Sequence, residues 1–387
     1  MHDDFLRITD FTTDGGLPGL PEGFKWSEKM FASISGNWAA IIRPVNLAVC
    51  YLKLDEAADC GNGIIDRDTE VFEKLLSERM IQSSQSKADE KELDNLKLQA
   101  DSGVFRFICI LPTNRCEMKC AYCHQRVKPQ RQSDMTLGEI DRGLRKCAEL
   151  CSDASRPADI LIYGGEPLLN FAVTKEVIRL TKGRDRIFRQ PVRLSFTTSG
   201  KDLTDGQAAV LADNDVFVIV SVDAGADIND NTRIAGGESS AYETAERAIK
   251  LLKSKVCRVG ISVTIGSHNY QDIGNQVDYL ISKFQPNDIG LNTFLHPIGD
   301  RKNPYQLNWQ DAFQALLAGY EAARQYGVFA EQPFRRLRPF VNRNPLLKDC
   351  SSPGERLVLV PGGKIGFCDS CYPADEYFYD LADFPDK

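Results

Sequence analysis

The sequence contains no run of about eighteen apolar residues, which excludes an ordinary transmembrane helix. Its N-terminus has no basic stretch followed by an apolar one, so it does not have the form of a secretory signal. It also lacks a short-period repeat and a low-complexity tract. We therefore expect no membrane partner, and we expect the protein to lie in the reducing cytoplasm.

An excess of basic residues is missing as well. The chain has 47 Lys and Arg against 54 Asp and Glu, a net charge of −7. Nucleic-acid-binding proteins usually carry a basic face, so we expect no nucleic-acid partner. The remaining composition is that of a globular protein, and 387 residues are enough for two or three domains.

Twelve cysteines are present. In a reducing compartment they are poor candidates for disulfides and better candidates for metal ligands or small buried side chains. Six of them form two groups in the sequence. We expect Cys109, in a strand, and Cys147 and Cys151, on a helix face, to be small buried hydrophobes.

The first 103 residues differ in pattern from the rest. Residues 38–42 and 47–52 read as the strands of a hairpin, residues 69–81 as a helix, and residues 83–103 as a polar helical linker. We expect residues 1–103 to form a small N-terminal α+β module. It is either a separate substrate-holding module or a decoration of the main domain.

From residue 104 onward, apolar strands alternate with amphipathic helices. This pattern predicts an α/β fold with a parallel sheet. The count is six β/α units, two fewer than a closed barrel, so we expect a partial (β/α)6 TIM-like barrel over residues 104–300. Residues 301–387 are then a C-terminal extension. The predicted strands are 105–111, 159–163, 192–198, 216–222, 259–265 and 289–295.

Cys116, Cys120 and Cys123 follow the first of these strands, at the end where parallel β/α folds carry their active sites. Three thiolates on one short loop can hold three corners of a cubane cluster. Because no fourth cysteine lies nearby in the sequence, one iron would stay open. The alternatives are a zinc site, which needs four ligands and could recruit His124, or a coincidence.

The spacing C-x3-C-x-aromatic-C, with Tyr122 as the aromatic residue, resembles the signature of the radical S-adenosylmethionine (SAM) superfamily. The resemblance implies a [4Fe–4S] cluster whose open iron binds SAM. It further implies reductive cleavage of SAM to a 5′-deoxyadenosyl radical, which takes hydrogen from a substrate. An external one-electron reductant of the flavodoxin or ferredoxin type would be required.

Two further segments are similar to family motifs for SAM. A Gly-Gly-Glu-Pro turn closes the second strand, and the resemblance implies that its glycines let backbone approach SAM while its carboxylate accepts from the SAM ammonium group. The third strand ends in polar residues, Thr198 and Ser199, and the resemblance implies that they contact the SAM ribose. Ser199 stands where the family more often has asparagine. These residues are Gly164, Gly165, Glu166, Pro167, Thr198 and Ser199.

The stretch from Ser221 to Arg233 resembles the S-x-D-G…H-D-x-x-R segment of radical SAM peptide-modifying enzymes, with Ala224 and Asn229 as departures. The resemblance implies that Ser221 and Arg233 bind SAM, with Arg233 neutralising the SAM carboxylate. It also implies that Asp223 faces the substrate. A surface salt bridge is the alternative for Arg233. Two histidines after later strands, His268 and His296, are either structural hydrogen-bonding groups or substrate contacts.

Cys350, Cys368 and Cys371 form the second cysteine group. A hairpin turning at Gly362-Gly363 would bring the first two together. The pattern C-x12-G-x4-C resembles the start of a SPASM or twitch domain, which implies an auxiliary Fe–S cluster. With three cysteines this cluster has an open iron or takes a fourth ligand from elsewhere, and zinc is an alternative. The fourth-ligand candidates are Cys50, Cys60 and Cys257.

The combined resemblance implies a ribosomal peptide maturase that installs a cross-link or another oxidative modification on a peptide or protein substrate. Alternatives within enzymes are a side-chain oxidase of the anaerobic sulfatase maturase type and a small-molecule radical SAM dehydrogenase. A non-catalytic Fe–S or zinc-binding electron carrier is the alternative outside enzymes.

Overall fold

The computed structural model describes residues 9–10, 19–27, 30–43, 45–53, 65–101, 104–123, 133–151, 156–236, 240–293, 303–343, 350–372 and 375–384. The chain forms two compact units. The smaller unit takes residues 1–102 and 335–349, and the larger unit takes residues 103–334 and 350–387. The functional division at residues 103 and 300 that the sequence suggested stays a prediction.

The smaller unit is built on antiparallel strands: β1 (Thr9–Asp10), β2 (Phe24–Trp26), β3 (Phe31–Ser35), β4 (Trp38–Arg43), β5 (Ala48–Lys53) and β6 (Ile81–Ser83). Four of them form a sheet in the order β1-β3-β4-β5, and β2 pairs with β6. The predicted hairpin is β4–β5. Its alternating pattern buries Ile41 and Cys50 against the helix α1 (Glu70–Ser77), which contributes Phe72 and Leu75.

Helix α1 is shorter than the predicted 69–81. Thr69 caps its N-terminus as the sequence pattern suggests. The helix ends early because Arg79 adopts a left-handed backbone, with φ 55°. Ile81 then pairs with Trp26 in the β2–β6 ribbon, so tertiary pairing takes residues that the helical pattern included.

A buried ion pair ties β4 to the helix α2 (Ala88–Asp101). The Arg43 side chain has no exposed surface, and its Nη2 donates to Asp89 Oδ1 at 2.7 Å and to Glu92 Oε2 at 2.9 Å. Gln82 Nε2 donates to the other Asp89 oxygen at 2.8 Å. A buried guanidinium without its carboxylate is strongly unfavourable, so Asp89 is a stability determinant of this unit.

The larger unit contains one ten-stranded sheet in the order β13-β12-β11-β10-β9-β8-β7-β14-β15-β16. Strands β7 to β13 are parallel, and the six predicted β/α strands lie within two residues of β7 to β12, which confirms the α/β core. The strands are β7 (Phe107–Ile110), β8 (Ala158–Ile162), β9 (Val192–Thr198), β10 (Phe217–Ser221), β11 (Val259–Ile265), β12 (Asp288–Thr293), β13 (Phe329–Ala330), β14 (Arg356–Val360), β15 (Lys364–Gly366) and β16 (Phe378–Asp380).

Amphipathic helices cover this sheet. The capping box at Thr136 and Glu139 is present, and Ile140, Leu144 and Cys147 on the following helix have no exposed surface. The helices of the larger unit before residue 331 are α3 (Leu137–Leu150), α4 (Phe171–Lys182), α5 (Asp205–Asp213), α6 (Ala226–Thr232), α7 (Ala241–Ser254), α8 (Ile273–Phe284) and α9 (Trp309–Gln325). Helix α10 (Glu331–Asn342) begins in the larger unit and continues into the smaller one, and α11 (Ser352–Glu355) belongs to the larger unit. Across the described parts of the chain, none of the helices could span a bilayer.

The C-terminal hairpin β14–β15 has the predicted turn, with Gly362 and Gly363 at positive φ. Its place in the sheet was not predicted. β14 runs parallel to β7 and pairs Val358 with Cys109. The first strand of the core therefore has a partner on each side, β8 and β14.

We expect Asp89→Ala to destabilise the smaller unit by about 3 kcal/mol, because it leaves the Arg43 charge buried with only Glu92 beside it. Urea unfolding followed by circular dichroism measures this. Glu90→Ala, an exposed change on the same helix, is the control and should shift stability by less than about 0.5 kcal/mol. Equal shifts for the two variants would contradict the assignment.

Candidate active site

The cysteine loop leaves the carboxyl end of β7 and pairs with the segment that follows α6. Lys119 N donates to Ile234 O at 2.7 Å, Ala121 N donates to Thr232 O at 2.8 Å, and Met118 bridges Ala235. This pairing holds Arg233 against the loop. Residues more than a hundred positions apart in sequence thus form one edge of the site.

The root of the loop rests on the glycines that follow β8. Gly165 N donates to Thr113 O at 3.0 Å, and Glu166 N donates to Arg115 O at 2.7 Å. A Cβ atom at Gly165 would lie 2.1 Å from Arg115 O, and Gly164 has φ +135°. The resemblance implied that these glycines let backbone approach SAM; in the structure they let it approach the cysteine loop itself.

Glu166 links β8 to β9. It is 2% exposed, and its carboxylate accepts from Thr198 Oγ1 at 2.7 Å, from Ser199 N at 2.9 Å and from Ser199 Oγ at 2.6 Å. Burial raises the pKa of Glu166, against the opposing effect of these donors. Pro167 begins a short 3-10 turn over Pro167–Asn170. The SAM contacts expected of Glu166, Thr198 and Ser199 stay predictions.

A buried ion pair lies on the other side of the loop. Arg233 Nε donates to Asp223 Oδ2 at 3.0 Å, and the Tyr122 hydroxyl donates to the same oxygen. Arg233 Nη1 lies 3.9 Å from Cys120 Sγ. Arg233 is 8% exposed and Asp223 has no exposed surface, so a surface salt bridge is the wrong interpretation of Arg233.

The protein's own donors fill the carboxylate of Asp223. Besides Tyr122 and Arg233, the backbone N of Thr264 donates to Oδ1 at 2.8 Å. Asn229, which stands where the family commonly has histidine, accepts from Asp223 N at 3.0 Å. The carboxylate therefore holds Arg233 and Tyr122 in place, and its expected contact with a substrate stays a prediction.

Burial and charge act against each other on Arg233. Burial disfavours its charged form, but Asp223, Tyr122 and Cys120 together raise the pKa of the guanidinium above its usual range. Arg233 is thus a permanent cation beside the cysteine loop. Such a group suits the carboxylate of a bound ligand.

His268 lies against the same ion pair. Its ring stacks on Tyr122 with centroids 5.8 Å apart and meets Tyr305 edge-on at 5.5 Å. Both ring nitrogens are buried, no described residue forms a hydrogen bond of normal geometry with them, and burial lowers the pKa of the imidazole. A contact of His268 with the substrate stays a prediction. His296 lies outside the described residues. Ser221 is the last residue of β10, so it lies at the carboxyl edge of the parallel sheet.

The three loop thiols form a donor set that suits an iron–sulfur cluster. Desolvation raises the pKa of Cys116 to about 12 and also raises that of Cys120, so metal binding must displace their protons. Among described side chains, no three His, Cys, Asp or Glu lie close enough to hold one metal ion.

The C-terminal cysteines lie beside β14 and β15. Cys371 N donates to Cys368 O at 3.2 Å, and Cys350 precedes α11 on the surface. Asn114, at the root of the cysteine loop, donates to the Tyr372 hydroxyl at 3.5 Å. Both cysteine groups therefore belong to the larger unit and are joined by this contact.

Comparison with known proteins agrees with this geometry. Residues 110–280 match the family model of the Radical SAM superfamily, so this part of the chain is a radical SAM domain. SAM and a [4Fe–4S] cluster are the cofactors of that family.

Among curated proteins, the chain is similar to an uncharacterised protein of Methanocaldococcus jannaschii, 25% identical over 44% of this chain and 56% of that protein. The match thus spans about half of that relative. It is also similar to the radical SAM cyclopropyl synthase TigE of Paramaledivibacter caminithermalis, 21% identical over 92% of this chain and 78% of that protein.

Two groups of solved structures share the fold. The structure of anSMEcpe with bound AdoMet has a TM-score of 0.61 and 17% identity, over 72% of this chain and 78% of that one. The structure of Streptococcus suis SuiB bound to the precursor peptide SuiA has a TM-score of 0.58 and 14% identity, over 93% of this chain and 87% of that one.

We expect Gly165→Ala to prevent normal cluster loading, because the new methyl group would displace the Arg115 carbonyl at the root of the cysteine loop. Iron and sulfide content after anaerobic reconstitution should fall to less than half of the wild-type value. Gly206→Ala is the matched control, since a Cβ atom there meets nothing within 4 Å. Full iron loading of Gly165→Ala would show that the loop tolerates the displacement.

Proposed function

We propose that the protein is a radical SAM peptide maturase that installs a cross-link or another oxidative modification on a ribosomally made peptide. The observation that carries the radical SAM chemistry is the cysteine loop held between Arg233 and the Gly164–Glu166 turn at the carboxyl edge of the parallel sheet. The proposed cluster ligands are Cys116, Cys120 and Cys123.

When bound, the cluster and SAM supply a 5′-deoxyadenosyl radical that takes a hydrogen atom from the substrate. The chain's own residues orient the cofactor and exclude water. In this proposal Arg233, held by Asp223, neutralises the SAM carboxylate. Glu166 and Ser199 bind its ammonium group and ribose, and His268 contacts the substrate.

A peptide substrate is supported by the extent of the fold likeness. It covers 93% of this chain for SuiB, whose structure was solved with its precursor peptide. In the smaller unit, β5 is the last strand of its sheet among the described residues. A leader peptide could bind there by adding a strand to the sheet. Crosslinking that places the leader elsewhere would remove this part of the proposal.

Side-chain oxidation of a folded protein and dehydrogenation of a small molecule use the same radical chemistry, so they remain the alternative enzymatic functions. The substrate assay separates them from peptide cross-linking. The reductant is proposed to be a small flavodoxin-like or ferredoxin-like protein.

We expect Arg233→Lys to weaken SAM binding by ten- to a hundredfold. A charge-assisted hydrogen bond from the planar guanidinium group contributes about 1.5–3 kcal/mol, and lysine cannot reproduce its geometry. Lysine keeps the charge beside Asp223, so the fold should be retained. Isothermal titration of the reconstituted protein with SAM measures the change without reductant. Arg193→Lys, in an exposed pair with Asp159, is the control. Equal affinities would remove Arg233 from the SAM site.

The reconstituted enzyme with dithionite and SAM should release 5′-deoxyadenosine, and Cys120→Ala should abolish this release. A wild-type protein with its cluster intact and no 5′-deoxyadenosine would instead support the electron-carrier alternative. Short peptides encoded beside this gene are the substrates to test. Mass spectrometry should detect the loss of two hydrogen atoms for each cross-link; unmodified peptides would direct attention to the alternative substrates.

A further inference from the structure

We propose that Cys109 is the fourth protein ligand of an auxiliary [4Fe–4S] cluster, together with Cys350, Cys368 and Cys371. The cluster would then have no open iron for a substrate. This inference rests on the proposed function, because it takes the C-terminal cysteines as cluster ligands. It replaces the fourth-ligand candidates that the sequence suggested.

The strand register brings Cys109 and Cys368 to one face of the sheet. Cys109 in β7 pairs with Val358 in β14, and Val358 pairs with Gly366 in β15. Paired residues of neighbouring strands point to the same face, and so do residues two apart in one extended strand. Cys368 lies two positions beyond Gly366, the last residue of β15. Phe367 between them packs against the main core on the opposite face, and Cys368 itself has an extended backbone, with φ −141° and ψ 119°.

Packing agrees with the register. Cys109 is 4% exposed and belongs to a small apolar cluster with Val358 and Phe378, and Cys371 packs against that cluster. The neighbouring residues Ile108 and Ile110 point to the opposite face, into the main core. Cys109 is the cysteine of β7 (Phe107–Ile110), and its thiol therefore lies on the same face of the sheet as the C-terminal cysteines.

A cation lies among these thiols. Arg356 Nη1 donates to Asp369 Oδ1 at 2.6 Å, and the guanidinium is within electrostatic range of both Cys109 and Cys350. Cys109 is in turn within electrostatic range of Cys368. A [4Fe–4S] cluster with four thiolate ligands is anionic, so the half-buried guanidinium would stabilise it, although Asp369, its ion-pair partner, acts in the opposite direction on Cys109.

Two of the earlier candidates are packed in other cores. Cys257 Sγ donates to Val216 O at 3.5 Å and packs in the main core, not in the cluster around Cys109. Cys50 is buried in the core of the smaller unit. Cys60 lies outside the described residues.

The test uses the full chain with Cys116, Cys120 and Cys123 changed to Ala, so that all bound iron belongs to the auxiliary site. This parent variant should hold about four irons after anaerobic reconstitution. Adding Cys109→Ala should lower iron to about three or fewer and give a [3Fe–4S] signal in electron paramagnetic resonance. Adding Cys147→Ala, a buried cysteine on α3, should change neither iron nor spectrum.

Potassium cyanide, which binds open irons, gives a second readout. It should leave the reduced spectrum of the parent unchanged. The variant Cys109→Ser keeps the size of the side chain and replaces Cys109→Ala if that variant does not fold. Cyanide should shift any cluster signal that remains in the spectrum of Cys109→Ser. Four irons with an unchanged spectrum in the Cys109 variants, or a cyanide shift in the parent, would overturn the ligand assignment. A parent without iron would instead remove the auxiliary cluster, and with it that part of the proposed function.

Discussion

A carboxylate with no exposed surface holds one side of the active site together. Asp223 accepts hydrogen bonds from Tyr122 and Arg233, and both donors lie against the cysteine loop. Removing a carboxylate from such a pair leaves a buried cation, which costs more than the pair itself contributes. The position of the loop, the charge beside Cys120 and the stacking of His268 on Tyr122 therefore depend on this group.

Much of the core fold could be predicted from local pattern, because buried parallel strands are continuous apolar runs and amphipathic helices repeat every few residues. Strands 192–198 and 259–265 have the predicted limits. The pairing of β14 with β7 could not be predicted in this way. It joins residues about 250 positions apart, such as Phe107 and Arg356, and local periodicity contains no information about such a pairing.

The site was predictable as a set of residues but not as a set of contacts. Resemblance placed Arg233 near SAM, and the structure places it beside Cys120, yet its buried pairing with Asp223 depends on tertiary packing. Gly165 accommodates the carbonyl of Arg115, a contact that the sequence did not predict, and its expected approach to SAM stays a prediction. Cys109 is buried in an apolar cluster, as expected, and its proposed ligand role rests on strand order, which local sequence pattern does not contain.

The parallel pairing of β7 with β14 has a consequence for biosynthesis. During translation β7 leaves the ribosome early, and its second edge stays without its native partner until residues 356–360 have been made. Closing contacts of such large sequence separation is slow. The thiol loop that follows β7 is thus attached to a strand whose second neighbour is synthesised much later, so iron insertion is expected to follow the synthesis of β14 rather than precede it.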